Sequence, residues 1–297
     1  MSGPDGLQVA KGHGLGNDYL VVDQAVLPFP LTPARIAALC DRHTGLGSDG
    51  LLVADVSPVI HEGERLFGLR IYNPDGTEAE KSGNGLRIFA AWLHGRALVR
   101  DDWFAVRLVK DTVRMRVEGE SANGVVDVRV EIGRASFRGR DVAFTPRDSE
   151  VLGHTLDLGD AGTADITTVS LSNPHCVVFV DALDRSDFLL RAPVLCTHPA
   201  FAQGTNVQFA RVADPRTLEA WIWERGAGET LASGSSSCAV AAAAVRRGLV
   251  EPGTFEVRMQ GGSTEVAVAP SFDVVLRGPA RMVYVARLDW GWVRELG

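Results

Sequence analysis

The sequence lacks several things that would have settled its class early. Its four cysteines, Cys40, Cys176, Cys196 and Cys238, are far apart and form no CxxC or Cys/His pattern, so no disulfide framework or zinc site is visible. A reduced, cytoplasmic setting fits that usage. No apolar run approaches the ~20 residues a bilayer-spanning helix needs; the most noteworthy, Ala239 to Val245, has seven residues and is mostly alanine. The N-terminus, Met1-Ser2-Gly3-Pro4-Asp5-Gly6, shows no basic stretch followed by an apolar one, so no signal peptide is expected. Positive charge is not in excess either: 30 Lys and Arg stand against 37 Asp and Glu, a net charge of −7 with no block of like charge. A nucleic-acid binder needs a basic stripe to neutralise phosphates. Nucleic acid and membrane are therefore excluded as partners.

What is present is an ordinary globular composition, 45% hydrophobic and 23% charged over 297 residues, enough for about two domains. The 32 glycines fall between short periodic segments and act as punctuation. Thr32-Pro33 followed by Ile36, Ala37, Leu39 and Cys40 predicts a capped amphipathic helix. Leu86 to Leu93 and Ala239 to Val245 are apolar almost all round, which belongs to helices buried inside something. Most of the rest alternates. Val113, Met115 and Val117, then Val126, Val128, Val130 and Ile132, predict a hairpin about Asn123-Gly124. Phe255 to Met259, Val266 to Val268 and Val274 to Leu276 predict further strands, and Met282 to Ala286 a last one returning to the first half.

A weak internal repeat joins the two buried helices. Glu78 and Ser82-Gly83 precede the first; Glu229 and Ser233-Gly234 precede the second, at an offset of 151. The fold expected is α+β, with two pseudo-repeated domains, each a curled, mostly antiparallel sheet around a central buried helix. The domains are placed at 1–133 with 279–297, and at 134–278. Gly83-Asn84-Gly85 and Gly234-Ser235-Ser236 read in two ways. They are tight turns before core helices, or they expose helix N-termini, with their unpaired amides and partial positive charge, to one small carboxylate in a cleft between domains.

Six segments, in order, then carry a resemblance. They are His13-Gly14-Leu15-Gly16-Asn17-Asp18-Tyr19, the stretch from Asp41 to Gly50, Tyr72-Asn73-Pro74-Asp75-Gly76, Ser82-Gly83-Asn84-Gly85-Leu86-Arg87, Asn173-Pro174-His175-Cys176, and Glu224-Arg225-Gly226-Ala227-Gly228-Glu229-Thr230. Over nearly its whole length the chain resembles the diaminopimelate epimerase family. The resemblance implies an enzyme that inverts an amino-acid α-carbon by two-base proton transfer, from the LL to the meso form of diaminopimelate. It implies no pyridoxal phosphate, no metal and no other cofactor. An amino acid is the only partner it requires, though it leaves room for a homodimer. By match, the amides of Gly83, Asn84, Gly234 and Ser235 hold the reacting carboxylate. Asn17, Asn73, Asn173, Asn206, Glu224 and Arg225 bind the substrate, with Arg225 suited to a carboxylate through its planar fork.

One departure matters. The family's two acid–base groups are cysteines, and the matching positions here are Ser82 and Ser233. A thiol ionises near ~8.5, whereas an alcohol is a far weaker acid. A gap on the order of five pKa units, at ~1.4 kcal/mol each, leaves about 7 kcal/mol to be recovered by the site. His175 and Glu224, which match the residues assisting the thiols, are expected to help as relays or as bases themselves. The flanks differ as well: Ser235-Ser236-Ser237 stands where the family tends to Ser-Gly-Ala, and Gly50 where glutamine is common. Two other readings stay open, an amino-acid dehydratase and a catalytically impaired paralogue that binds diaminopimelate-like amino acids.

Overall fold

A computed structural model describes residues 7–145 and 148–296. The chain divides into two units: the first runs through Val130 and resumes at Gly278, and the second is Glu131–Arg277. The architecture is α+β, strand-rich with few helices.

In the first unit, β1 (Leu7–Gly14) and β2 (Asn17–Asp23) form an antiparallel hairpin through Leu15 and Gly16, both at positive φ. Helix α1 (Pro33–Cys40) then crosses to β3 (Leu51–His61), which runs parallel to β2. The cap is the one expected: the Thr32 hydroxyl accepts from the Arg35 amide, and Pro33 opens the helix where it has no N–H to waste. β4 (Glu64–Tyr72) pairs antiparallel with β3 and with the short β5 (Glu78–Ala79). Helix α2 (Gly83–Gly95) makes the second crossing, to β6 (Phe104–Arg107), parallel to β4. β7 (Thr112–Glu120) follows antiparallel to β6, and a turn over Ser121–Gly124 leads into β8 (Val125–Arg134).

The second unit starts with β9 (His154–Asp157) against β10 (Thr163–Ser170). From β10 the pairing order is the one just described. β11 (Pro174–Phe179) is antiparallel to β10. Helix α3 (Arg185–Cys196) crosses to β12 (Asn206–Asp214), parallel to β11. β13 (Thr217–Glu224) and β14 (Gly228–Thr230) continue antiparallel. Helix α4 (Gly234–Arg246) crosses to β15 (Gly253–Met259), parallel to β13, and β16 (Gly262–Val268) returns. β17 (Asp273–Leu288) pairs with β16 up to Arg277, and from Arg281 to Leu288 pairs with β1 of the first unit. The Val274–Leu276 and Met282–Ala286 segments, read from the sequence as two strands, are thus one. Helix α5 (Trp290–Glu295) closes the chain, capped by Asp289.

The two apolar runs are the buried helices anticipated. Every residue of α2 from Gly83 to Leu93 is buried against β1, β2, β3 and β7. Every residue of α4 from Gly234 to Val245 is buried against β10 to β13, β15 and β16. Alanine at 241 to 244 suits that position, because it lets the surrounding strands approach closely at no cost in helix propensity. Alternation decides which strand faces turn inward: Val126, Val128, Val130 and Ile132 are buried and their neighbours are not. Among the described residues, no helix is long and apolar enough to cross a membrane.

Candidate active site

The start of α2 is built around Ser82. Its extended backbone makes it the N-cap, and its hydroxyl accepts from the Gly85 amide at 3.0 Å. The helix ladder begins with Leu86 N–H donating to the Ser82 carbonyl, so the amides of Gly83 and Asn84 precede it at the positive end of the helix dipole. The half-buried Ser82 hydroxyl has a second partner: Tyr19 Oη lies 3.3 Å from Ser82 Oγ.

Asn84 and Asn17 are locked beside it. Asn84 Nδ2 donates to Asn17 Oδ1 at 3.0 Å, Arg87 Nη2 donates to Asn84 Oδ1 at 2.6 Å, and Asn17 Nδ2 donates to Asp49 Oδ2 at 3.0 Å. Asp49 belongs to a charged knot with Asp18, Arg42 and Lys11. Asp18 pairs with both cations at 2.7 Å, and Arg42 also reaches Asp49 at 2.7 Å. Burial by itself would raise the Asp18 carboxyl, but hydrogen bonds from Arg42 and Lys11 outweigh it and hold the group at about 2. Burial pushes Asp49 up, and the neighbouring Asp18 charge adds to that. Asn73 is differently placed. Its amide donates to Thr77 Oγ1 at 2.9 Å, and Gly76 N–H donates to its carbonyl at 2.9 Å, so it shapes the 73–77 turn.

The start of α4 is organised otherwise. Ser233, 3% exposed, occupies the N-cap position with an extended backbone, yet its hydroxyl makes no capping bond. Ser237 N–H donates to the Ser233 carbonyl, leaving the amides of Gly234 and Ser235 ahead of the ladder. The three serines that follow are accounted for by packing. Ser237 Oγ donates to the Gly234 carbonyl at 2.8 Å, and Ser236 Oγ accepts from Gln208 Nε2 at 3.0 Å. Ser235 Oγ accepts from Asn173 Nδ2 at 3.3 Å.

Gln208 and Asn173 are the two ends of a bridge through His175. Its Nδ1 lies 3.1 Å from Gln208 Nε2, and its Nε2 lies 3.0 Å from Asn173 Oδ1. The ring is fully buried, and burial, helped by the positive Arg225, holds its pKa down to about 3 against a small opposing effect of the Gln208 bond. The histidine is thus neutral, with both nitrogens engaged inside its own unit. In this arrangement it anchors α4 to β11 and β12, and a relay role would require one of those bonds to break.

Asn206 ties β12 to its neighbours. Its Nδ2 donates to the Pro174 carbonyl and its Oδ1 accepts from the Arg225 amide, both at 3.0 Å. Arg225 is exposed and rests Nη1 on the Gln203 carbonyl at 3.0 Å. Glu224, half-buried, ends β13 just before the turn that Gly226 and Gly228 make at positive φ. None of the four cysteines stands in for a lost thiol: all are buried, and burial pushes Cys176 up strongly.

In the first unit the structure therefore gathers Asn17, Ser82, Gly83 and Asn84; in the second it gathers Asn173, His175 and Ser235, with Asn206 beside Arg225. Sequence reasoning assigned no role to Tyr19, Asp49, Gln208 or Ser236. Two carried a usable signal. Tyr19 and Gln208 each lie two positions after a named asparagine (Asn17 and Asn206) in a strand, hence on the same face.

Comparison with known proteins places the chain in a family. The family model described as diaminopimelate epimerase matches residues 9–138 and 167–283. A diaminopimelate epimerase 2 of Nostoc sp. is 41% identical over 89% of each chain. A diaminopimelate epimerase of Pelotomaculum thermopropionicum is 36% identical over 94% of this chain and 97% of its own. Among solved structures, one described as a probable proline racemase from Agrobacterium radiobacter superposes with a TM-score of 0.70 at 14% identity, covering 96% of this chain and 93% of that one, which speaks to the fold alone.

Proposed function

This chain belongs to the diaminopimelate epimerase family and is thus an isomerase of the epimerase class, and we propose that it interconverts the LL and meso forms of diaminopimelate with Ser82 and Ser233 as its two acid–base groups. The observation that carries this reading is that each serine is the N-cap residue of a buried helix whose first amides precede the helical ladder. Those amides suit an α-carboxylate in the ground state. They suit it better once the α-proton has left and negative charge spreads onto the carboxylate oxygens. One serine takes the proton from one face of the α-carbon while the other returns a proton to the opposite face. No cofactor takes part.

Asn17, Asn73, Asn173, Asn206, Glu224 and Arg225 bind the substrate. The hydrogen bonds around the asparagines support this role: each amide NH2 carries two protons, and one fixed bond aims the second. The common pairing order of the two units, with Ser82 and Ser233 at matching helix starts, supports reading them as copies of one ancestral unit divided near residues 133 and 279.

The test is α-proton exchange in heavy water, followed by NMR, with LL- and meso-diaminopimelate. Inversion with deuterium incorporation is expected from either isomer. An unsaturated or keto product would make the protein a dehydratase, and tight binding without exchange would make it a binding paralogue.

A further inference from the structure

The weak acidity of the Ser82 alcohol asks what makes it exchange a proton at all, and the first unit contains an answer. Resting on the proposed role of Ser82, we propose that Tyr19 is its positioning partner, a phenol that supplies and receives the proton that Ser82 exchanges with the α-carbon.

Three observations converge. Tyr19 Oη lies 3.3 Å from Ser82 Oγ, across 63 residues of sequence. The Gly85 amide already donates to Ser82 Oγ, which leaves the hydroxyl proton and one lone pair of Ser82 for the phenol, so either oxygen can donate to the other. The phenol, moreover, is placed there by the backbone of another strand. A Cβ at Gly50 would stand 2.6 Å from Tyr19 Cε1 and 2.4 Å from the Tyr72 carbonyl, so any larger residue at 50 would expel the ring from its site. Tyr19 is only 7% exposed. Gly50 therefore leaves the room that the Tyr19 ring occupies beside Ser82.

The chemistry fits. An ordinary phenol ionises near ~10, close to the ~8.5 of a thiol, whereas an aliphatic alcohol lies far above both. In the base form Tyr19 is a phenolate. As the substrate Cα–H bond breaks, its electron pair stays on the α-carbon, its proton passes to Ser82 Oγ, and the Ser82 proton passes to Tyr19 Oη. In the return step the phenol protonates Ser82 as Ser82 protonates the carbanion. After an inversion Tyr19 holds the proton that was taken and Ser233 has given one up, so solvent water accepts the proton from Tyr19 and returns one to Ser233 before the next turnover in the same direction. At α4 the Ser233 hydroxyl makes no capping bond, and the relay is assigned to the Ser82 half of the reaction alone.

The experiment measures exchange against pH for the wild type, Tyr19→Phe, Ser82→Cys and the double variant. Tyr19→Phe is expected to slow exchange on the order of 100-fold or more and to remove a rate limb rising toward the phenol range. In the Ser82→Cys background, the same change is expected to alter the rate by less than about threefold, because a thiol needs no such partner. Replacing Tyr19 by a fluorinated, more acidic tyrosine keeps its shape and should move the limb to lower pH. A Tyr19→Phe enzyme as active as the wild type, an equal loss in both backgrounds, or a limb that ignores fluorination would overturn the relay while leaving the epimerase reading intact. Absence of exchange in wild type and Ser82→Cys alike would overturn both.

Discussion

The two helix starts hold the same residue at the same position and use it differently. At α2 the Ser82 hydroxyl caps the helix and meets Tyr19, and the neighbouring Asn17 and Asn84 hang from a knot of charges. At α4 the Ser233 hydroxyl caps nothing, and the neighbouring polar side chains, from Ser235 through Asn173, His175 and Gln208 to Ser236, are all neutral. A helix start can thus be fixed by an outer ring of ion pairs or by a buried chain of amides and hydroxyls. Only in the first case does the N-cap oxygen both cap its helix and lie within hydrogen-bond distance of a phenol. The two units thus hold their N-cap serines in unlike surroundings.

The largest expected effect separates the units by pH. His175 is held at about 3, below its ordinary ~6.5 in an unfolded chain. Between those values the unfolded state binds the extra proton, so stability rises with pH across that window and is lost as pH falls through it, by at most ~1.4 kcal/mol per pH unit. Asp18, held at about 2, contributes stability that is complete above ~4 and lost only below it. Chemical denaturation at pH 4 to 6.5 should therefore show a slope that His175→Gln flattens and Asp18→Asn does not. Equal slopes in all three proteins would erase the distinction between the two networks.

A smaller effect concerns the caps. Ser82→Ala removes a capping oxygen and should cost about 1 kcal/mol, while Ser233→Ala should cost only a few tenths, since no cap is lost. Thermal unfolding of the two variants gives the comparison directly. The smallest concerns the exposed end of the second unit. Arg225→Lys keeps the charge but loses the planar fork, and should raise KM for diaminopimelate several-fold with kcat little changed and no measurable loss of stability.

Much of this was legible in the sequence because it is local. Apolar runs bounded by Ser-Gly signals announced α2 and α4, and alternating valines announced β7 and β8. Helix α3 escaped because Pro193 sits inside it and its apolar residues form no clear stripe, although Asp184 caps it in the ordinary way. In β17 the alternating segments Val274–Leu276 and Met282–Ala286 stand apart in the sequence on either side of Gly278-Pro279; the strand carries both, and the Pro279 carbonyl accepts from Arg87 Nε at 3.2 Å. The site's motifs stood out as short strings, but their partners did not. Tyr19 reaches Ser82, and Gln208 reaches His175 and Ser236, only through strand register and helix packing, which no string of neighbouring residues encodes.

The central claim, that Ser82 and Ser233 are the two proton-transfer groups, is tested most directly by stereoisomer-resolved deuterium exchange in Ser82→Ala and Ser233→Ala. Each variant should lose inversion by at least ~100-fold, and whatever exchange persists should be confined to the isomer whose proton faces the remaining serine, with opposite isomers affected in the two proteins. Inversion at the wild-type rate in either variant would contradict the account.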